Sequence, residues 1–118
     1  MTRSDIAAAL GAVPGVTATA DRPPVLDAGA SWPVLRNERV TMGGCALEVR
    51  WYVLVVGAGG EEASTIASTD PILGPLIAAL KSAGLVIEEV APVRLPVEPG
   101  NAGVPAVRVA VVDNAWIA

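Results

Sequence analysis

The stretch Arg50-Trp51-Tyr52-Val53-Leu54-Val55-Val56-Gly57-Ala58-Gly59-Gly60-Glu61-Glu62 decides how this chain folds. An apolar strand runs directly into a glycine-rich turn and then into an acidic helix start, the arrangement that also opens a dinucleotide-binding unit. Just upstream, the odd positions Cys45, Leu47, Val49, Trp51, Val53 and Val55 are all apolar, while Glu48 and Arg50 alternate with them. That period of two predicts one strand over 45–56. Beyond Tyr52 both faces turn apolar, so this half is expected to be covered on both sides, by a helix on one and by a neighbouring subunit as a candidate on the other.

The glycine turn offers a nucleotide-binding reading and then withdraws it. Gly57-Ala58-Gly59 fits the first half of Gly-x-Gly-x-x-Gly, and Glu88 or Glu89 stands where a ribose hydroxyl wants a carboxylate, but the sixth position is Glu62. Glu61 and Glu62 complement the helix dipole themselves and repel an anionic ligand. The motif also sits mid-chain, leaving too little sequence for further parallel βαβ units, and the segment that follows reads as a hairpin. A small nucleotide-binding enzyme using the glycines at 57–60 is therefore the weakest of the functional alternatives.

Working outward, Ser4 is placed to cap a short helix with Ile6, Leu10 and Val13 on one face, ended by Pro14-Gly15. A short strand over 16–20 follows, then Asp21-Arg22-Pro23-Pro24 forces an extended loop. The stretch 30–36 can pair again, with Pro33 confining it to an edge or a strand start, and Asn37-Glu38-Arg39 through Met42-Gly43-Gly44 reads as a long hairpin connection. Residues 61–83 are helical in composition. Asp70-Pro71 predicts a break or kink near 68–74, and Ile72, Leu73, Leu76, Ile77 and Leu80 form the apolar stripe, closed by Gly84. Residues 85–97 and 104–113 read as an antiparallel pair. The expected fold is a single α+β domain over 1–118: a small mixed, largely antiparallel sheet of four to five strands, a covering helix kinked near Asp70-Pro71, and a short N-terminal helix.

Composition narrows the chemistry. Of 118 residues 53 % are apolar, chiefly Val, Ala, Leu and Ile, which favours a sheet-rich core of modest side chains. No apolar run reaches the roughly 20 residues that span a bilayer, and the N-terminal segment lacks the long apolar region of a signal peptide, so no membrane partner is expected. Cys45 is the lone cysteine and there is no histidine, so neither a cysteine cage nor the commonest general base is available. Twelve acidic and eight basic side chains give a net charge of −4. The basic ones are scattered along the sequence, a poor footprint for gripping nucleic acid. Trp51 and Tyr52 read as a core anchor and a partner contact, one on each face, in preference to a base-stacking platform, because basic residues do not surround them. No catalytic constellation emerges, no cofactor or metal is expected, and the chain is read as a non-enzyme.

Four segments carry a family resemblance: Val13-Pro14-Gly15-Val16-Thr17; Glu48-Val49-Arg50-Trp51-Tyr52-Val53-Leu54-Val55-Val56-Gly57; Leu76-Ile77-Ala78-Ala79-Leu80-Lys81-Ser82-Ala83-Gly84-Leu85; and Gly103-Val104-Pro105-Ala106-Val107-Arg108-Val109. Together with the order of elements, they make the chain resemble the tail terminator proteins of long-tailed bacteriophages across nearly its whole length. The resemblance implies a structural virion protein at the head-proximal end of the tail, assembled in the host cytoplasm. Such a protein forms a homohexameric ring that caps the major tail tube protein, meets a head–tail connector or stopper protein, and lets genomic DNA pass through its lumen without specific binding. Another head–tail connector or a tail-tube-like assembly protein is the alternative.

A cyclic ring needs heterologous contacts. The candidate contact surfaces follow from shape, not from a family motif: the doubly apolar half of the central strand (Tyr52, Leu54, Val56), the first hairpin connection (Arg36, Glu38, Arg39) and the second (Glu98, Asn101).

Overall fold

The computed structural model describes residues 2–40, 46–57, 62–96 and 103–116, and the side chains of these outside 37–40, 46–48, 62–67 and 114–116. Along the chain run α1 (Arg3–Gly11), β1 (Thr17–Ala18), β2 (Ala30–Val40), β3 (Ala46–Val56), α2 (Glu62–Ser82), β4 (Val86–Leu95) and β5 (Val104–Trp116). The strands form one mixed sheet in the order β1-β2-β3-β5-β4, with β1 parallel to β2 and every other pair antiparallel. The fold is α+β, and the strand that carries the alternating pattern is the middle one of five.

Because β3 and β4 both pair antiparallel with β5, they run parallel to each other with β5 between them. Helix α2 makes the crossover. In a dinucleotide-binding unit the two strands flanking such a helix belong to a parallel sheet; here an antiparallel strand separates them. Gly57 anchors the end of β3 by donating its N–H to the Pro105 carbonyl at 3.0 Å. The glycines at 59 and 60 lie outside the described residues.

Both helices pack on one face of the sheet. Val49, Trp51, Val53 and Val55 of β3 and Val109 and Val111 of β5 meet Ile6, Leu10, Leu76 and Leu80 in the main core. The period of two in the strands and of three to four in the helices produces this directly. A second, smaller core lies on the opposite face, where Leu54 and Val56 pack with Trp32, Leu95 and Ala106, and Leu26 closes over them. The two-sided burial expected beyond Tyr52 is thus supplied by the chain itself, through Trp32 and the 21–29 segment.

Several local expectations change. The N-cap of α1 is Thr2, not Ser4: the Thr2 hydroxyl accepts from the Asp5 N–H at 3.3 Å, and the Asp5 carboxylate accepts from the Thr2 N–H at 2.8 Å. A capping box needs an acid three residues past the cap; Thr2 has Asp5 there, whereas Ser4 has Ala7. Of the break or kink expected near 68–74, the break does not occur in α2. It runs as one helix through Pro71 and Pro75, both exposed, each of which removes one helical hydrogen bond without ending the helix. Leu76 and Leu80 are fully buried, Ile72 and Leu73 pack beside them, and Ile77 is half-buried. At the other end, Leu85 donates to the Leu80 carbonyl at 3.1 Å and Gly84, with φ +93°, donates to Lys81 at 3.0 Å. This is a Schellman closure, and Leu85 tucks into the main core behind it.

Pro33 sits inside β2 without breaking it. Gly29 and Ser31 aim their carbonyls at β1, accepting from Thr17 and Thr19 at 2.9 and 3.0 Å, so Pro33, two residues on, aims the same way past the end of β1 and needs no donor there. Residues 37–40, expected in the connection, belong to β2. They pair with 47–50, while Ala46 pairs with Trp116 of β5. A three-stranded extension therefore continues the sheet beyond Val49. The principal extents are 46 × 31 × 22 Å, an elongated slab two layers thick. Among the described residues no helix is long and apolar enough to cross a membrane.

Candidate interaction face

Alternation along β3 sends Trp51 into the main core and Tyr52 to the face without helices. Val34 of β2 is the cross-strand partner of Tyr52 on one side and Ala110 of β5 on the other. Arg108, register partner of Leu54, is the diagonal neighbour. From there its guanidinium lies 4.5 Å from the centroid of the Tyr52 ring, and that of Arg36 lies 5.2 Å away. The two cations come from the strands flanking β3 on either side, and each is attracted by the ring quadrupole.

Two β-bulges lie beside this face. One falls between Leu35 and Asn37 in β2, the other between Ile87 and Glu89 in β4. Alternation brings Arg36 to this face after Val34 and Glu88 after Val86, and the bulge in β4 adds Glu89, register partner of Ala110, beside Glu88. Arg50 holds both oxygens of Glu88 from Nη1, at 2.7 and 2.9 Å. Arg36 stands farther from Glu88, at 3.9 Å, and Arg108 stands 3.7 Å from Glu89. Neither Arg36 nor Arg108 makes a hydrogen bond among the described residues. Their side chains are 40 % and 33 % exposed, so two guanidinium forks are positioned by packing while their donors stay open.

Three of the chain's eight basic side chains thus converge around Tyr52 although they are far apart in sequence. This corrects the inference drawn from their scatter: Tyr52 is flanked by basic groups, with its ring occupied by guanidiniums. Of the other candidate contact residues, Leu54 and Val56 are interior, at 8 % and 2 % exposure. Glu38 and Arg39 lie within β2, opposite Val49 and Glu48, and their side chains are outside the described set, as are Glu98 and Asn101 altogether. Arg50, Arg108, Glu88 and Glu89 were not among the candidates. Arg50 and Arg108 are marked in the sequence as the polar members of apolar alternations; alternation along β3 puts Arg50 on the face of Tyr52, but only strand register brings Arg108 there.

The patch has an apolar margin. Val34 is 37 % exposed and Val86, paired with Val112 on β5, is 54 % exposed. Arginine and tyrosine over apolar ground form the composition enriched at the centre of protein–protein contacts. The chain matches no known protein-family model and no curated protein.

Proposed function

We propose that this chain is a structural virion protein, a tail terminator that assembles as a homohexameric ring at the head-proximal end of a phage tail tube and joins tail to head. The observation that carries the reading is the two-sided slab: helices close one face of the sheet, and the other presents Tyr52 under Arg36 and Arg108 with exposed valines beside them. A protomer with two chemically different sides is suited to heterologous, head-to-tail contacts, the kind that close a cyclic ring. The order of short helix, strand, proline-rich loop, long hairpin, helix and hairpin, on which the resemblance to tail terminators rests, is also the order of elements in the fold. In this role the protein is non-catalytic. Its partners are further copies of itself, the tail tube protein and the connector or stopper, with DNA passing through the lumen.

Light scattering and negative-stain imaging of the purified protein, alone and mixed with its tail tube subunit, test the reading. Six-fold rings, or tubes closed at one end, are expected. A protein that stays monomeric in the presence of tube subunits is not a terminator, and tubes that lengthen by incorporating it point to a tail-tube-like protein instead.

A further inference from the structure

The Arg36 and Arg108 guanidiniums are half-exposed, held against one aromatic ring, and open on their donor edges. A planar fork fixed in advance loses little freedom when it takes an oxyanion, which is what it matches geometrically. Phosphates of a nucleic acid and carboxylates of a protein both fit that chemistry. Two observations favour the carboxylate. Glu88 and Glu89 lie in the same cluster and the whole chain carries −4, so an extended polyanion is repelled at a distance, whereas a single carboxylate entering a desolvated contact pairs with a fork. The exposed Val34 and Val86 give apolar ground that a phosphate backbone has no use for.

We infer that this face docks on the helical layer of a second copy of the chain, with Asp70 as the carboxylate received by Arg36 and Arg108; this rests on the ring proposed above. Among the acidic residues whose side chains are described, Asp5 is committed to the Thr2 cap, Asp21 to Arg3, Glu88 and Glu89 to the cluster, and Asp113 has an interaction of its own. Asp27 and Asp70 remain, both exposed and neither in an ion pair. Asp27 belongs to the segment whose Leu26 lies on the same side of the sheet as the arginines. A contact through it sets like faces together and closes as a two-fold dimer. Asp70 is on α2, in the opposite layer, so a contact between it and the arginines is head-to-tail and repeats from copy to copy around a ring. The open face and the helical layer then become the two halves of one interface.

Sedimentation velocity from micromolar to near-millimolar protein tests this with four chains: wild type, R36E/R108E, D70R, and the triple R36E/R108E/D70R. Wild type is expected to sediment as an oligomer, the arginine reversal and D70R as monomers, and the triple variant to recover the oligomer, because the charges are exchanged across the contact. Since Glu at 36 and 108 faces Glu88 and Glu89, R36Q/R108Q is run alongside as a milder pair, with circular dichroism to confirm native folding; it too is expected to lose association. An arginine variant that is folded yet oligomerises like wild type overturns the inference while leaving the terminator reading intact. Failure of the triple variant to recover overturns the assignment to Asp70. A wild type that is monomeric throughout overturns self-docking, whereas the terminator reading is then decided separately by whether it caps tubes. Saturable binding of a short DNA duplex that disappears in R36Q/R108Q assigns the forks to phosphate and overturns the carboxylate.

Discussion

Arg50 reaches across an entire strand to hold Glu88. Its β3 and the β4 that carries Glu88 are separated by β5, about 9.5 Å at two strand spacings, yet Nη1 lies 2.7 and 2.9 Å from the two carboxylate oxygens. Glu88 follows Val86 onto the open face by alternation, and the bulge after Ile87 sets Glu89, opposite Ala110, on that face as well. Edge and centre of the sheet are thereby tied together independently of the backbone ladder.

The pair is partly shielded, with side chains 21 % and 32 % exposed, which places it above an open surface bridge and below a buried one. E88Q keeps the size and one acceptor but removes the charge. It is expected to lower stability by about 1 kcal/mol in urea unfolding at low salt, and by less at high salt. Equal stability of E88Q and wild type at low salt contradicts this account.

Gly29 and Gly84 share a positive φ, +88° and +93°, and differ in surroundings. A Cβ on Gly84 meets nothing, so G84A carries only the backbone strain of the Schellman position, about 1 kcal/mol. A Cβ on Gly29 lies far inside contact distance of the Gly15 carbonyl oxygen. Gly29 is also tied at both ends, donating to Val56 and accepting from Thr17, each at 2.9 Å, so the backbone cannot move aside without breaking the β1 junction. G29A is expected to cost about 3 kcal/mol or more. Comparable melting temperatures for the two variants are the result that this reasoning forbids.

Pro75 stands exposed inside α2, where its ring removes the hydrogen bond that the carbonyl of Pro71 otherwise receives. Alanine restores the donor and has the best helix propensity. Part of the gain is offset because proline also restricts the unfolded chain. P75A is therefore expected to raise stability by about 1 kcal/mol, seen as a higher melting temperature by circular dichroism. A clear loss instead means that the proline ring makes a contact worth more than the helical rung.

Strand periodicity made much of this legible. Val49, Trp51, Val53 and Val55 announce the core face of β3 by alternation alone, and Leu76, Leu80 and Gly84 announce the buried stripe of α2 and its end. Ser4 reads as the α1 cap because serine is at least as good a cap residue as threonine, and only the position of Asp5 favours Thr2. The tyrosine–arginine cluster was hidden for a different reason. Arg36, Arg50 and Arg108 meet only after three strands are paired in register, and the bulge that sets Glu89 beside Glu88 on the same face depends on tertiary fit.

Ser31 is fully buried opposite Val55, and its hydroxyl has no hydrogen-bond partner among the described residues. Burying an unpaired hydroxyl opposes folding, and deleting it leaves only a small loss of packing. S31A is expected to match wild type or exceed it by about 1 kcal/mol. Substantial destabilisation by S31A signals a partner for the hydroxyl.

The Asp5 carboxyl is held below its ordinary pKa of 3.8, first by the Thr2 backbone N–H and then by the Thr2 hydroxyl, both of which favour the charged form. A native pKa lower than the unfolded one makes the stabilisation present above the unfolded value and lost as pH falls through the native value. The first turn of α1 is therefore expected to loosen on acidification below about pH 4, ahead of the helical end closed by Gly84. Carboxyl carbon NMR of Asp5 reads this directly. The wild-type midpoint should lie below 3.8, and in T2A, where the hydroxyl is gone and the N–H remains, it should move part of the way back. A wild-type midpoint at or above the ordinary value shows that Thr2 does not hold the carboxylate in solution.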